Sequence, residues 1–329
     1  MVSYLVRRLG AGVFVVAFII VLTFSLSYLQ TPHHADTPAW NACQPKFTRV
    51  CIQHYTQLYG LGQSYFVRLY QYVQGLVWHF NLGFSYKQNQ AVFTLLKVFI
   101  PRTLWLAVAA LVLATLIAVP MGIYQAWRRN SIFDYTATGV AFILYSVPAF
   151  VLGFVLLDIF SFHIPFGAWA HLANSPPSGV NATAIFTDPM PFVLPVVTLT
   201  ALSVAGLSRF MRSSVLDVLV QDYIRTARAK GCSSRRVLFR HTMRNALGPI
   251  VTIIGLSIPA LLAGALIVEN TFNYAGIGLE TLTAATDDDV YTLLAITILV
   301  TIATIIGNLM ADVGLAILNP RVRIEGAAR

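Results

Sequence analysis

The side chains best suited to hydrolytic, redox or metal chemistry in this 329-residue chain are thirteen Asp and Glu, seven His and three Cys. None of the spacings that make such groups reactive is present. A phosphate-cradling GxxxxGK[ST] loop needs Gly before its Lys, and Lys46, Lys87, Lys97 and Lys230 follow Pro, Tyr, Leu and Ala. No His is followed by Glu, which removes the HExxH zinc pattern, and no Ser sits in GxSxG. His33, His34 and His54 are close in sequence, but their spacing fits no standard zinc site. The expected catalytic residues and metal ligands are therefore none, and nucleotide-driven work would have to be done on another chain.

Composition says what kind of molecule this is. The residues AVILMFWYC make up 57% and charged residues 11%, with a mean hydropathy of +0.70. Soluble domains carry roughly 25% charged residues, so a water-facing globular enzyme is excluded. High hydrophobicity without low-complexity tracts excludes disorder as well. The net charge of +9 is read as a bias of Lys and Arg relative to a bilayer, with no nucleic-acid partner implied.

Six long apolar runs follow: Leu9–Leu29, Thr103–Trp127, Tyr135–Phe160, Pro191–Ser208, Ile250–Val268 and Val290–Leu318. Each approaches or exceeds the ~20 residues that cross ~30 Å of hydrocarbon. The expected fold is all-α, a polytopic membrane protein of six transmembrane helices in one domain over residues 1–329. The first run is too long for a signal-peptide core and lacks a small-residue cleavage site, so it reads as an uncleaved span. Of 22 Lys and Arg, 16 fall at the N-terminus, after the second run, in Arg209–Arg244 and in the tail. The positive-inside rule then makes both termini and the loop at about 209–248 cytoplasmic, and the loop at about 30–98 extracytoplasmic.

Within the first external loop, Phe66, Leu69, Val73, Leu76, Val77 and Phe80 recur at helical spacing, with Arg68, Gln71 and Gln74 opposite. Such an amphipathic helix can lie in the membrane interface or pack on the protein's own spans. Cys43 and Cys51 lie in the same loop, where seven intervening residues permit a disulfide without requiring one, while Cys232 falls on the reducing side. Asp158 and Asp312, with Asn308 one turn earlier, fall in or beside apolar runs. An acid in hydrocarbon costs about 2.5–3.5 kcal/mol on insertion scales, so these groups line a substrate path or bond between helices. Glu269 and Arg209 are expected near opposite membrane faces.

The most informative stretch is Asp222-Tyr223-Ile224-Arg225-Thr226-Ala227-Arg228-Ala229-Lys230-Gly231. Asp222 is an N-cap candidate, Lys230 suits the negative end of a helix dipole and Gly231 suits the position just past a C-cap. A second helix is expected from Ser233 or Ser234 to about Leu247, before Gly248-Pro249. Tyr223, Ala227 and Gly231 fall four apart on one face, where small residues would let another protein approach. The loop could be basic only to hold topology, but two arginines would suffice for that, as at Arg128-Arg129. A capped helix with small residues reads better as a docking element.

At these residues the chain resembles the integral-membrane subunit of bacterial dipeptide/oligopeptide/nickel ABC importers. The generic cytoplasmic loop of such subunits begins Glu-Ala-Ala, and of that form only Ala227 and Gly231 match. Asp222 to Gly231, followed by Arg240-His241 and Arg244-Asn245-Ala246-Leu247, closely fits the peptide-importer version. Tyr59-Gly60-Leu61, Asn81-Leu82-Gly83-Phe84-Ser85, Pro101-Arg102-Thr103-Leu104, Ser146-Val147-Pro148-Ala149-Phe150, Val268-Glu269-Asn270-Thr271-Phe272 and Asn319-Pro320-Arg321 look like further landmarks. Thr31–Gln53 departs from the family's short segment, and Asn81 stands where Asp is usual.

The resemblance implies a type I ABC-importer permease in the bacterial inner membrane, surrounded by lipid. Its partners would be a second homologous permease subunit, two cytoplasmic ATPase subunits holding ATP and Mg, and an extracytoplasmic solute-binding protein. Asp222 to Gly231 would be the ATPase-coupling helix. The cargo implied is a di- or oligopeptide, with nickel or another small solute as the alternative. A secondary transporter working without an ATPase is the rival class, and would typically show an internal repeat.

Overall fold

A computed structural model describes residues 2–30, 43, 48–58, 62–85, 87–163, 190–287 and 289–318. The stretch 164–189, with its glycosylation-like Asn181-Ala182-Thr183, and the ending from Asn319 lie outside the described residues. The chain runs through α1 (Val2–Gln30), α2 (Arg49–Leu58), α3 (Tyr65–His79), a two-residue hairpin β1 (Phe84–Ser85) and β2 (Gln90–Ala91), and α4 (Val92–Trp127). It continues through α5 (Ile132–Ser146), α6 (Ala149–Leu157), α7 (Met190–Leu219), α8 (Asp222–Ala229), α9 (Ser234–Arg236), α10 (Met243–Thr271), α11 (Ile277–Thr286) and α12 (Val290–Leu318). Asp158–His163 and Val237–Thr242 are π-helical turns. The hairpin strands are antiparallel, Phe84 opposite Ala91 and Ser85 opposite Gln90.

Among the described residues four helical stretches are long and apolar enough to cross a bilayer: Arg7–Leu26, Val92–Trp127, Pro191–Leu219 and Val290–Gly314. A bent pair, Ile132–Ser146 with Ala149–Phe160, makes five, so the count stops short of the six expected. The expected run Ile250–Val268 lies inside α10, a continuous 29-residue helix, but the side chains of 258–264 are outside the described set.

The third expected span is not one helix. It breaks by 101° between Ser146 and Ala149 because Pro148 has no amide to continue the ladder and pushes the preceding residue out of the helical region. Val147 accordingly sits at φ −79°, ψ 127°.

The helices of the second and fourth expected spans run further than expected. α4 starts at Val92 rather than Thr103, and at 1.5 Å per residue its 36 residues reach roughly 54 Å. α7 continues past Ser208 to Leu219. These two helices form the central contact. Leu106, Ala110, Ala114 and Ala118, four residues apart, are fully buried, and the stripe ends at Gly122. A β-carbon at Gly122 would meet Met211 Cβ at 2.7 Å and the Arg212 backbone nitrogen at 3.0 Å. Small residues here let two backbones touch where lipid offers no hydrophobic drive for association.

α3 packs on the protein's own helices. Tyr72, Leu69, Val73 and Leu76 pack with Ile20 and Phe24 of α1 and with Leu294 and Ile298 of α12. Phe66, Val77 and Phe80, expected on that same face, instead point outward with Tyr70 and Trp78. Arg68 leaves the polar side and sits over the Tyr28 ring, 5.5 Å from its centroid.

Glu269, expected near a membrane face, lies two residues before the end of α10 and is fully buried by neighbouring helices. It accepts hydrogen bonds from Thr103 Oγ1 at 2.6 Å and from the backbone amides of Gly278 at 2.6 Å and Leu279 at 3.1 Å. Thr103 Oγ1 in turn accepts from the Ile277 amide at 2.8 Å. Together they close the N-terminus of α11, whose first amides have no intrahelical partner. The other side of α11 is tied to the hairpin: Gln88 Nε2 donates to Glu280 Oε1 at 2.6 Å. Asp289 accepts from Ser85 Oγ, and from Thr292 Oγ1 at 2.9 Å.

Thr103→Val strands the Ile277 amide and one acceptor of Glu269. An unsatisfied buried group costs about 1–3 kcal/mol, and a fall of that size in unfolding stability of the detergent-solubilised chain is expected. Burial first, and then the neighbouring Asp289 charge, raise the Glu280 carboxyl from 4.5 to about 7. The folded chain therefore holds this proton more tightly than the unfolded one. That contribution is complete below pH 4.5 and is lost as pH rises through about 7. Hydrogen-exchange protection factors of α11 should decline over that window and level off above it, and Glu280→Gln should flatten the slope.

Candidate coupling site

The ten residues singled out from sequence form one structural unit. α7 ends at Leu219, the chain turns at Val220-Gln221, and α8 begins at Asp222. Gln221, not Asp222, occupies the N-cap, with extended backbone at φ −67°, ψ 148°. Asp222 is instead the first helical residue, where its negative charge still complements the helix dipole. Its carboxylate lies 3.5 Å from Arg225 Nη1 in an exposed ion pair.

The C-terminus closes as its sequence pattern foretold. Gly231 has φ +79°, a left-handed conformation open to glycine without a Cβ clash. Its amide donates to Arg228 O at 2.9 Å, and the Cys232 amide reaches back to Ala227 O at 3.2 Å. This pair of bonds is a Schellman closure. Ser233 then caps the next helical segment, its Oγ accepting from the Arg236 amide at 3.5 Å.

The face of α8 does not point as the spacing suggested. Ile224 and Ala227 are buried against Val237, flanked by Val218 and Cys232. Ala227 is small because it packs on the chain's own following turn, so it is not the surface offered to a partner. Tyr223 is partly exposed and its hydroxyl accepts from Asn245 Nδ2 at 2.7 Å. The outward side of the loop consists of Asp222, Arg225, Thr226, Arg228, Ala229, Lys230 and Gly231. Arg235, Arg236, Arg240 and Arg244 extend that exposed cationic surface.

The helix after the loop does not stop at Gly248-Pro249. Val237–Thr242 leads directly into α10, which passes through both residues. Ala246 and Ile250 are buried against Leu207, Met211 and Val215 of α7, and Ser214 Oγ donates to Ala246 O at 2.8 Å. Tertiary burial outweighs the helix-breaking preference there. The loop is consequently fixed at both ends to long helices, α7 before it and α10 after it.

The other candidate residues lie apart from this unit. Asp312 of α12 pairs with Arg8 of α1 at 3.0 Å, and Asn308 is half-buried one turn earlier. Asp158 opens the π-helical turn after α6 and is exposed. Cys43 and Cys51 are joined in a disulfide, with Cα atoms 6.0 Å apart. Among the described residues no group of three or more His, Cys, Asp or Glu is placed to hold a metal.

Sequence reading missed Asp134, which is 2% exposed and accepts two hydrogen bonds from Arg212 at 2.7 and 2.8 Å. A signal was present in Ser131-x-x-Asp134, the form of a helix start, and Ser131 Oγ does accept from the Asp134 amide at 3.2 Å. That signal locates α5 but says nothing of Arg212, 78 residues away.

Residues 118–324 match the family described as binding-protein-dependent transport system inner membrane component, and residues 1–107 match its N-terminal companion. The chain belongs to this family. The relatives agree over nearly the whole length. The oligopeptide transport system permease protein AppB of Bacillus subtilis is 33% identical over 332 residues, covering 98% of this chain and 99% of the relative. The dipeptide transport system permease protein DppB of Escherichia coli strain K12 is 33% identical over 346 residues, covering 98% and 99%. The DppB protein of Lactococcus lactis is 30% identical over 328 residues, covering 98% and 100%. Family membership and the long apolar helices make this a multi-pass membrane transport component with an all-α permease fold.

Gly231→Val forces a β-branched residue into a left-handed turn and should open the C-terminal closure of α8. Cys232 is the one thiol outside the disulfide and is half-buried beneath that turn. Maleimide labelling of Cys232 in membranes should be slow in the wild type and several-fold faster in Gly231→Val. Equal rates would mean that the turn survives.

Proposed function

We propose that the chain is one permease half of an ABC importer for di- and oligopeptides, residing in the inner membrane with both termini in the cytoplasm. The reading is supported most directly by the Asp222–Gly231 unit: a short, doubly closed helix with an exposed cationic face, held between two long helices. That is the form a lever needs, because a push on α8 passes into α7 and α10 rather than being absorbed by a slack loop. The names of the full-length relatives support peptides as cargo.

Two ATPase subunits carry ATP and Mg²⁺ and grip α8 from the cytoplasm. A second homologous permease completes the pathway, and a solute-binding protein delivers cargo to the opposite face. Nucleotide binding shifts the inward–outward equilibrium only through contacts that differ between the two states. The outer side of α8 is where this chain meets the ATPases, and Arg225 and Arg228 supply charge to that contact. No bond of the cargo is made or broken on this chain.

Co-reconstituted with those partners in liposomes, the wild-type chain should take up labelled di- and oligopeptides only when ATP is supplied. Charge reversal at Arg225 and Arg228 together should lower uptake at least tenfold while leaving the chain inserted. ATP-independent uptake by the chain alone, driven by an ion gradient, would overturn the reading.

A further inference from the structure

The contact between α5 and α7 is held by a buried carboxylate gripped by a bidentate arginine. Asp134 presents both carboxylate oxygens to Arg212, Oδ1 to Nε at 2.7 Å and Oδ2 to Nη2 at 2.8 Å, and Oδ2 also takes the Asn130 amide at 3.0 Å. One turn along, Gln125 Nε2 of α4 donates to Thr138 Oγ1 at 3.3 Å. Toward the far end of α5, the Arg209 guanidinium stacks over Phe142 at 4.1 Å and lies 5.5 Å from the Tyr145 centroid. Asp134 and Phe142 are eight residues apart, roughly 12 Å along the helix. Two arginines one turn apart on α7 thus hold α5 at both ends.

Beyond the Val147-Pro148 break the contacts change character. α6 places Ala149, Leu156 and Leu157 against an apolar cluster that includes Leu106 of α4, Leu194 near the start of α7, far from Arg209 and Arg212, and Val268, Phe272 and Tyr274 at the end of α10 and just after it. Apolar contacts of this kind tolerate sliding and rolling, whereas a bidentate arginine–carboxylate fork fixes distance, register and rotation together. A buried ion pair is often no better for stability than a well-packed apolar pair, so the fork between Asp134 and Arg212 calls for another account. Arg212 also lies only two turns before the end of α7, where α7 gives way to the α8 loop.

We infer that Asp134 and Arg212, with Arg209 beside them, lock α5 to the last third of α7, so that a displacement of the α8 loop swings α5 about the Val147-Pro148 joint while α6 stays with its apolar cluster. Asp134 and Arg212 are positioning residues of the transport cycle. This rests on the proposed role of α8, and it adds the route by which motion leaves the loop and the place where the third span bends.

The test uses the complete reconstituted transporter in a Cys232→Ser background. Spin labels at Thr136 of α5, Ser213 of α7 and Val155 of α6 report the two relations separately. The 136–213 distance should be the same without nucleotide and with ATP trapped, while the 136–155 distance should change by several ångströms. Asp134→Ala and Arg212→Ala should leave ATP hydrolysis running but cut peptide delivered per ATP at least tenfold. Arg212→Lys, which keeps charge and loses the fork, should fall between, and the exchanged pair Asp134→Arg with Arg212→Asp should recover part of the loss.

A purely structural pair would lower the amount of assembled complex without changing peptide delivered per ATP in the complexes that form. That result, or an unchanging 136–155 distance in the wild type, overturns the inference. If the alanine variants do not assemble, the wild-type distances decide alone. Failure of ATP-driven uptake by the wild type strikes instead at the importer reading itself.

Discussion

A peptide group in hydrocarbon has only its own helix to bond to, and each one left unpaired costs several kcal/mol. Most of this architecture follows from that constraint. Long uninterrupted helices carry the chain across, and several helix ends are closed by groups that satisfy the freed amides or carbonyls. Glu269 and Thr103 close α11 from other helices, Ser131 closes α5, and the Schellman turn closes α8.

The same constraint makes the break at Val147-Pro148 informative. A bend of 101° inside an apolar run is tolerated because the helical bonds resume at once on either side. Val147 donates back to Ile143 O at 3.2 Å, and Leu152 donates to Pro148 O at 3.1 Å. Two short rigid rods joined at one residue pair are a different mechanical object from one long rod. The two rods are also gripped differently, by arginines on one side and by apolar side chains on the other.

How far the fold could be read from residues depended on whether the cause was local. Gly231 announced a helix end because a left-handed turn favours glycine within four residues of the pattern that needs it. The apolar runs announced membrane helices because composition alone sets that requirement. Ala227 misled: smallness serves an outside partner and an inside neighbour equally well, and Val237, which decides the matter, lies ten residues on. Gly248-Pro249 misled because burial against α7 overrode a local preference. Asp134 stayed hidden since its partner is on another helix, and α11 with its hairpin stayed hidden since the carboxylates that hold them come from afar. The Asp222–Gly231 unit was therefore legible as an element and illegible in its facing.

The link between Arg8 and Asp312 joins positions 304 residues apart. At roughly 5–20 residues per second of synthesis, about 15–60 s separate the emergence of these two partners from the ribosome. During that interval α1 lies in lipid with the surfaces that later meet α12 still open. Ile20 and Phe24 wait for Leu294 and Ile298 in the same way. A nascent chain cut short before α12 would thus leave behind a membrane-inserted fragment whose leading helix keeps its α3 contacts but lacks the partner that pairs with Arg8.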